Sequence, residues 1–283
     1  MMLFDSADGI LDLRSFEEFK VAHLPESTWM AWQDVPDHLN ELPAAPAKLF
    51  LVGSHQAIEE VSLYLHEKNY QVSGSLLINH AEDLARWQQQ LPGLFISGKE
   101  SKTLWSPSAL VKEFIESVVT DSKSHAGTAI DLGCGGGRDA VFLAKQGWKV
   151  TAIDQESRVI KRAKQLASRA GASVKWKCCD LKKAGCLPET EFDLVLVMRF
   201  LNRNLYSEID ARVKPGGWLV FQTFVEGVEV FGSPKNPNYI LRKGELAQVF
   251  ADFKVIIDRI DILPDGRPVA CFVGQKRGGN RPD

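Results

Sequence analysis

Apolar positions in the first third of the chain fall into two short clusters, each followed by a helical repeat. Ile10, Leu11 and Leu13 read as a strand closed by Asp12 and Arg14. Ser15 then stands three residues before Glu18, the spacing of a helix capping box, so a helix is predicted over 15–20. Leu49–Val52 forms a second apolar strand that runs into Gly53 and Ser54. From Gln56 to Glu67 the positions Ile58, Val61, Leu63 and Leu65 predict a second helix. Alternation of strand and helix favours a parallel sheet with helices on its faces and ligands at the carboxyl ends of its strands. Residues 81–100 read as a linker, and Gly98-Lys99 lacks the earlier glycine and the following hydroxyl of a phosphate-binding loop.

The pattern resumes with a longer series. Ala129–Leu132 is a strand that meets Gly133-Cys134-Gly135-Gly136-Gly137, and Arg138 to Gln146 follows as a helix with Ala140, Phe142, Leu143 and Ala144 inward. Glycines at 133, 135 and 137 let the backbone turn sharply, and the first helical amides offer partial positive charge to an anionic group. The next strand, Lys149–Ile153, stops at Asp154, where a carboxylate accepts both hydroxyls of a ribose. Further strands are predicted over 173–177, 192–198 and 218–221, the last preceded by Lys214-Pro215-Gly216-Gly217. Val255–Ile257 and Val269–Val273, joined through Pro264-Asp265-Gly266-Arg267-Pro268, read as an antiparallel hairpin.

Length and charge divide the chain in the same place. At 283 residues it is long enough for about two domains. Residues 1–100 hold 6 Lys and Arg against 15 Asp and Glu, net −9, whereas residues 101–283 hold 28 against 21, net +7. A boundary at 98/99 is therefore expected. With 45% hydrophobic and 25% charged residues the composition is globular, no apolar run reaches membrane-helix length, and the start carries no leader pattern. A cytoplasmic protein is expected, with no membrane partner. Five cysteines show no zinc or disulfide spacing, so they are expected to be reduced core residues and no metal is expected.

Asp12-Leu13-Arg14-Ser15, Glu17-Glu18-Phe19, His23-Leu24-Pro25 and the Leu49–Val52 strand resemble the opening of a rhodanese-like domain. The first position of the loop after that second strand, where the resemblance implies a sulfur-carrying cysteine, is Gly53, and no cysteine precedes Cys134. A persulfide needs a thiolate, so sulfur transfer by this half is not expected, and His23 has no nucleophile to serve.

Asp131-Leu-Gly133-Cys-Gly135-Gly-Gly137, Asp154, Asp180 and Lys214-Pro-Gly-Gly217 together resemble the class I S-adenosylmethionine-dependent methyltransferases. Leu104–Ser108, Gly137–Ala140 and Pro234–Tyr239 are similar to a group of these enzymes with an N-terminal rhodanese-like domain, related to the tellurite-resistance and thiopurine-type enzymes. The implied fold is α/β: a Rossmann-like sheet, parallel with an antiparallel last strand, over residues 99–283, preceded by a small rhodanese-like α/β domain over 1–98. The implied cofactor is S-adenosylmethionine. Gly133, Gly135 and Gly137 would face its methionine end, with Asp131 holding that loop or the amino group. Asp154 would bind the ribose, and Asp180 with the Leu181 backbone the adenine. Cys134 is expected to fill the turn.

On the acceptor side the candidate catalytic residues are Arg199 and Tyr239, with Trp105 and Tyr239 as lids over the cofactor and Thr223-Phe224 beside them. Arg199 suggests an anionic acceptor, unless it pairs with Asp193 or Glu226. The fourth strand lacks the Asn-Pro-Pro-Tyr or Asp-Pro-Pro-Tyr of amino-group methylation, so a small anionic or soft nucleophile is expected. Alternatives are an RNA or protein acceptor, a non-catalytic cofactor-binding scaffold, and a nicotinamide oxidoreductase, since Gly135–Ala140 also fits a loose dinucleotide pattern. Arg158, Lys161, Arg162, Lys164 and Arg169 lie on one helix without interleaved aromatic residues, so nucleic acid is possible as a partner but not favoured.

Overall fold

The structure, a computed structural model, describes residues 4, 6–119 and 126–278. It divides into two compact units, Met1–Ser106 and Pro107–Asp283. No helix among the described residues is long and apolar enough to cross a membrane.

The first unit holds β1 (Gly9–Asp12), α1 (Phe16–Val21), β2 (Ser27–Trp29), β3 (Lys48–Gly53), α2 (His55–Glu67), β4 (Gln71–Leu77) and α3 (Ala81–Gln90). Its four strands form a parallel sheet in the order β2-β1-β3-β4. Alternate residues serve opposite faces: Leu11, Leu49 and Leu51 pack with Ala57, Val61 and Leu65 of α2, while Ile10, Phe50 and Val52 pack with Leu76, Leu84 and Trp87. The Ser15–Glu18 capping box forms as the spacing predicts.

Asp12 leaves β1 with its carboxylate buried. It accepts from Arg14 Nε at 2.9 Å, and the same guanidinium donates through Nη2 to the Ala22 carbonyl at 2.7 Å. The Arg14 carbonyl in turn accepts from Trp29 Nε1 at 3.0 Å. One buried ion pair thus ties β1, α1 and β2 together. His23 is buried, stacks on Phe19 at 3.9 Å and bonds the Phe19 carbonyl through Nδ1 at 2.8 Å, a packing role.

The expected linker is not one. Residues 81–90 form α3, Ile96 pairs with His23, and Lys102 bonds the edge of β2 through Lys102 N to Ser27 O at 3.0 Å and Thr28 Oγ1 to Lys102 O at 2.6 Å. These bonds join Lys102 to β2, and the first unit runs to Ser106, eight residues beyond the expected boundary.

The second unit holds α4 (Ala109–Glu113), β5 (Thr128–Leu132), α5 (Arg138–Lys145), β6 (Lys149–Asp154), α6 (Ser157–Arg169), β7 (Val174–Cys178), β8 (Phe192–Met198), α7 (Tyr206–Arg212), β9 (Val213–Phe224), α8 (Glu245–Val249), β10 (Phe253–Ile262) and β11 (Pro268–Lys276). They build a seven-stranded sheet in the order β10-β11-β9-β8-β5-β6-β7, in which β11 runs against both its neighbours. Chain order reverses between β5 and β8, and the carboxyl ends of the strands on either side of such a switch point form a crevice. Lys214–Gly217 does not precede β9 but lies inside it, as an irregularity opposite Asp193. A Cβ on Gly217 would sit 2.9 Å from the Lys214 carbonyl oxygen, so only glycine fits there.

Asp12→Asn should leave Arg14 buried without its counter-charge. We expect a loss of about 3–5 kcal/mol in the first unit's stability, read by urea denaturation of the full chain.

Candidate cofactor and acceptor site

The turn after β5 is built from left-handed glycines. Gly133 has φ 78° and Gly137 φ 80°; a Cβ on the first would lie 3.0 Å from Phe200 Cβ, and one on the second 2.7 Å from the Trp176 ring. The amides of Gly133 and Cys134 both donate to the Ile153 carbonyl at 2.9 Å, and Gly135 N donates to Asp154 Oδ2 at 2.9 Å. The loop is therefore stapled to the end of β6 by the same carboxylate that the sequence points to. Asp154 Oδ1 accepts from Glu156 N at 3.0 Å, and Asp180 Oδ1 from Lys182 N at 2.9 Å.

Asp131 is 1% exposed, and its Oδ1 has no hydrogen-bond partner among the described residues. Burial first, then the carboxylates of Asp139 and Asp154, push its carboxyl well above the usual range. Such an orphaned, desolvated acceptor beside the glycine turn suits a cationic ammonium group, the charge on the methionine end of S-adenosylmethionine. Asp139 is differently placed: it accepts from Ser108 N at 2.6 Å and Ser108 Oγ at 2.8 Å. Two segments singled out in the sequence, around Ser108 and around Asp139, thereby meet. Burial raises the Cys134 thiol far above its usual range, with Asp131 and Asp154 adding to it, so Cys134 packs in the turn rather than reacting.

A pocket of about 360 Å³ opens at the carboxyl edge of the sheet, within the roughly 300–1,000 Å³ usual for small-molecule sites. Gly133, Asp154, Asp180 and Leu181 line one part of it; Arg199, Thr223, Phe224 and Tyr239 line another. Asp131, Gly135 and Gly137 stand behind this lining, in the turn itself. Trp105 falls in the first unit.

Arg199 follows β8 with φ 55°, a left-handed conformation that costs a non-glycine residue of the order of 1 kcal/mol or more. Its amide is fixed to the Gln222 carbonyl at 2.7 Å, and its side chain is exposed with no hydrogen bond or ion pair among the described residues. Neither carboxylate weighed as its partner takes it. Asp193 is held by Lys214 Nζ and Thr128 Oγ1, each within 2.9 Å, and Glu226 accepts from Lys243 N at 3.3 Å. Tyr239 is carried by a loop that Arg203 anchors through Nη2 to the Ile240 carbonyl at 2.8 Å and through Nε to Glu245 at 2.7 Å.

Two features escape sequence reasoning. Arg267 reaches the pocket from the β10–β11 turn, where the sequence signals only a turn. Cys179, in the lining, has its sulfur against that of Cys186, with Cα atoms 5.8 Å apart, within disulfide range; the expectation of unpaired cysteines is corrected there.

Because the folded chain holds the Asp131 proton more tightly than an unfolded chain does, the penalty of its charge is absent below about pH 4 and grows as pH rises. Asp131→Asn should therefore stabilise the cofactor-free protein at neutral pH by about 1–3 kcal/mol, a gain that fades towards acid pH in calorimetric scans, while weakening cofactor binding. Asp154→Ala should weaken it by about 2 kcal/mol, roughly thirtyfold by titration calorimetry.

Comparison with known proteins gives the site its context. Residues 129–217 match a family profile described as "Methyltransferase domain". The uncharacterized protein UNK4.09 of Schizosaccharomyces pombe is 28% identical over 94% of this chain and 93% of its own length. The ubiquinone biosynthesis O-methyltransferase of Coxiella burnetii is 28% identical over 42% of this chain, and the match spans 56% of that relative. Among solved structures, TehB from Haemophilus influenzae aligns with a TM-score of 0.47 and 18% identity over 56% of this chain and 61% of its own. The matched residues run from β5 to the bulge in β9 and contain the glycine turn, Asp154 and Asp180, so this stretch of the second unit is similar to a methyltransferase domain.

Proposed function

We propose that the protein transfers the methyl group of S-adenosylmethionine to a small anionic or soft nucleophile by in-line displacement. The observation that carries this reading is the single pocket in which Gly133, Asp154, Asp180 and Leu181 stand together with Arg199 and Tyr239. When bound, S-adenosylmethionine supplies a carbon already activated by its sulfonium leaving group. The chain has mainly to align acceptor and methyl, and little acid or base chemistry is required of it. In this reading Asp131 meets the amino end, Asp154 the ribose hydroxyls, and Asp180 with the Leu181 amide the adenine edge. Arg199, whose guanidinium has no competing partner among the described residues, holds the acceptor's charge, and Tyr239 closes over it.

We further read the first unit as a rhodanese-like module without sulfur transfer. Its parallel sheet with helices on both faces supports the likeness. The position for the sulfur carrier is Gly53, the last residue of β3, where a Cβ would lie 3.2 Å from Leu13 Cβ. We read the motifs of the second unit as similar to those of the tellurite-resistance and thiopurine-type enzymes.

Mass spectrometry of ligand retained by the purified protein should find S-adenosylmethionine or S-adenosylhomocysteine. Labelled methyl from S-adenosylmethionine, offered with thiols, selenite, tellurite, carboxylates, total transfer RNA and protein extract, should appear in a small molecule. Label confined to RNA or protein would overturn the small-molecule reading. Cyanide-dependent thiocyanate production by the full chain should not exceed that of a heat-killed control, and an excess would refute the inert rhodanese-like reading.

A further inference from the structure

We propose that Arg267 is a second cation of the acceptor site, and that the acceptor is a small organic carboxylate held between the Arg199 and Arg267 guanidiniums. The inference rests on the methyltransferase reading above and narrows its acceptor from anionic or soft nucleophiles to carboxylates.

Arg267 is held in place before any ligand arrives. Its Nε donates to Asp265 Oδ2 at 2.8 Å, its Nη1 to the Ser233 carbonyl at 3.3 Å, and its guanidinium carbon lies 4.6 Å from the Phe224 ring centroid. Nη2 also pairs with Asp265 Oδ2 at 2.7 Å, so the guanidinium is stacked on an aromatic face and bonded at all three nitrogens, and a ligand would meet its remaining Nη protons with little loss of freedom. The turn that carries it is equally fixed. Gly266 has φ 86°, and a Cβ there would lie 2.8 Å from the Phe231 ring.

The lining takes Asp154, Asp180 and Lys182 from the ends of β6 and β7, and Arg199 and Arg267 from the end of β8 and the β10–β11 turn, with Asp265 bonded to Arg267. The Arg267 hydrogen bond holds the Asp265 carboxyl below its usual range, and Arg199 adds to that effect without bonding it, which puts both guanidiniums in electrostatic reach of one turn. Asp265 is the bonded counter-ion of Arg267, whereas Arg199 feels Asp139 and Asp265 only through space and has no bonded counter-ion among the described residues. Thiols and other neutral soft nucleophiles would leave that charge unanswered, whereas a carboxylate matches the planar fork of an arginine. The same pocket is lined by Phe200, Leu201, Phe224, Pro234 and Tyr239, an apolar surface that an inorganic oxyanion would not cover.

The test is calorimetric titration of the full-length protein, first loaded with S-adenosylhomocysteine, with benzoate and phenylacetate, their amides benzamide and phenylacetamide, and tellurite. At least one carboxylate should bind about tenfold or more tightly than its amide. Arg267→Met and Arg199→Leu should each abolish that preference while leaving S-adenosylhomocysteine affinity unchanged, and Arg267→Lys should retain part of it. The proposal is overturned if acid and amide bind alike, if no carboxylate binds, if tellurite binds more tightly than both acids, or if a folded Arg267→Met protein keeps the preference. Should Arg267→Met not fold, Arg199→Leu alone decides, since its side chain makes no contact that the fold depends on. Failure of the wild-type protein to take up S-adenosylhomocysteine would instead overturn the methyltransferase reading, before any acid is added.

Discussion

The left-handed turn between β5 and α5 is the constraint from which the site follows. Gly133 and Gly137 hold positive φ while Phe200 and Trp176 press against the space a side chain would need, so the backbone there has one conformation and one residue type. That turn fixes three things at once. It starts α5 against the sheet, brings the Gly135 amide onto Asp154, and leaves Asp131 buried beneath it with an oxygen unpartnered among the described residues. A looser turn would let water reach Asp131 and remove the desolvation that raises its carboxyl.

Strand order then decides what faces this turn. Because the chain reverses between β5 and β8, the residue after β8, Arg199, comes to the same crevice as Gly133, although the two are far apart in sequence. The left-handed backbone at Arg199 is held by the Gln222 carbonyl on the next strand. Its unfavourable conformation persists because the sheet over-determines it, a pattern that clusters at functional sites.

Much of this was legible in the sequence, where the information is local. The capping box at Ser15 and Glu18, the parallel strands, the glycine turn and the carboxylate ending β6 each depend on neighbours within a few residues. What could not be read depends on register or on distant backbone. β2 and β4 are short or weakly apolar and exist because β1 and β3 offer them edges; Ser101 and Lys102 join the first unit through hydrogen bonds exchanged with β2. The fate of Arg199 turned on Asp193, and no sequence rule says that Lys214, in a bulge of the next strand, reaches that carboxylate first. Arg267 was visible only as a turn residue because its meaning lies in what the turn meets.

Two desolvated aspartates show why the site is more than its shape. Asp139 lies beside Asp131, is likewise raised by burial, and is satisfied by two hydrogen bonds from Ser108. Asp131 shares its surroundings without that relief, and the presence of Asp139 and Asp154 makes its charge costlier still. A protein selected for stability alone would have no reason to bury a carboxylate so. In the proposed reading that cost is recovered on binding the cofactor's ammonium group, because the interaction is made in a medium that screens it weakly. Arg199, without a bonded counter-ion among the described residues, would apply the same logic to an anionic acceptor with the opposite sign.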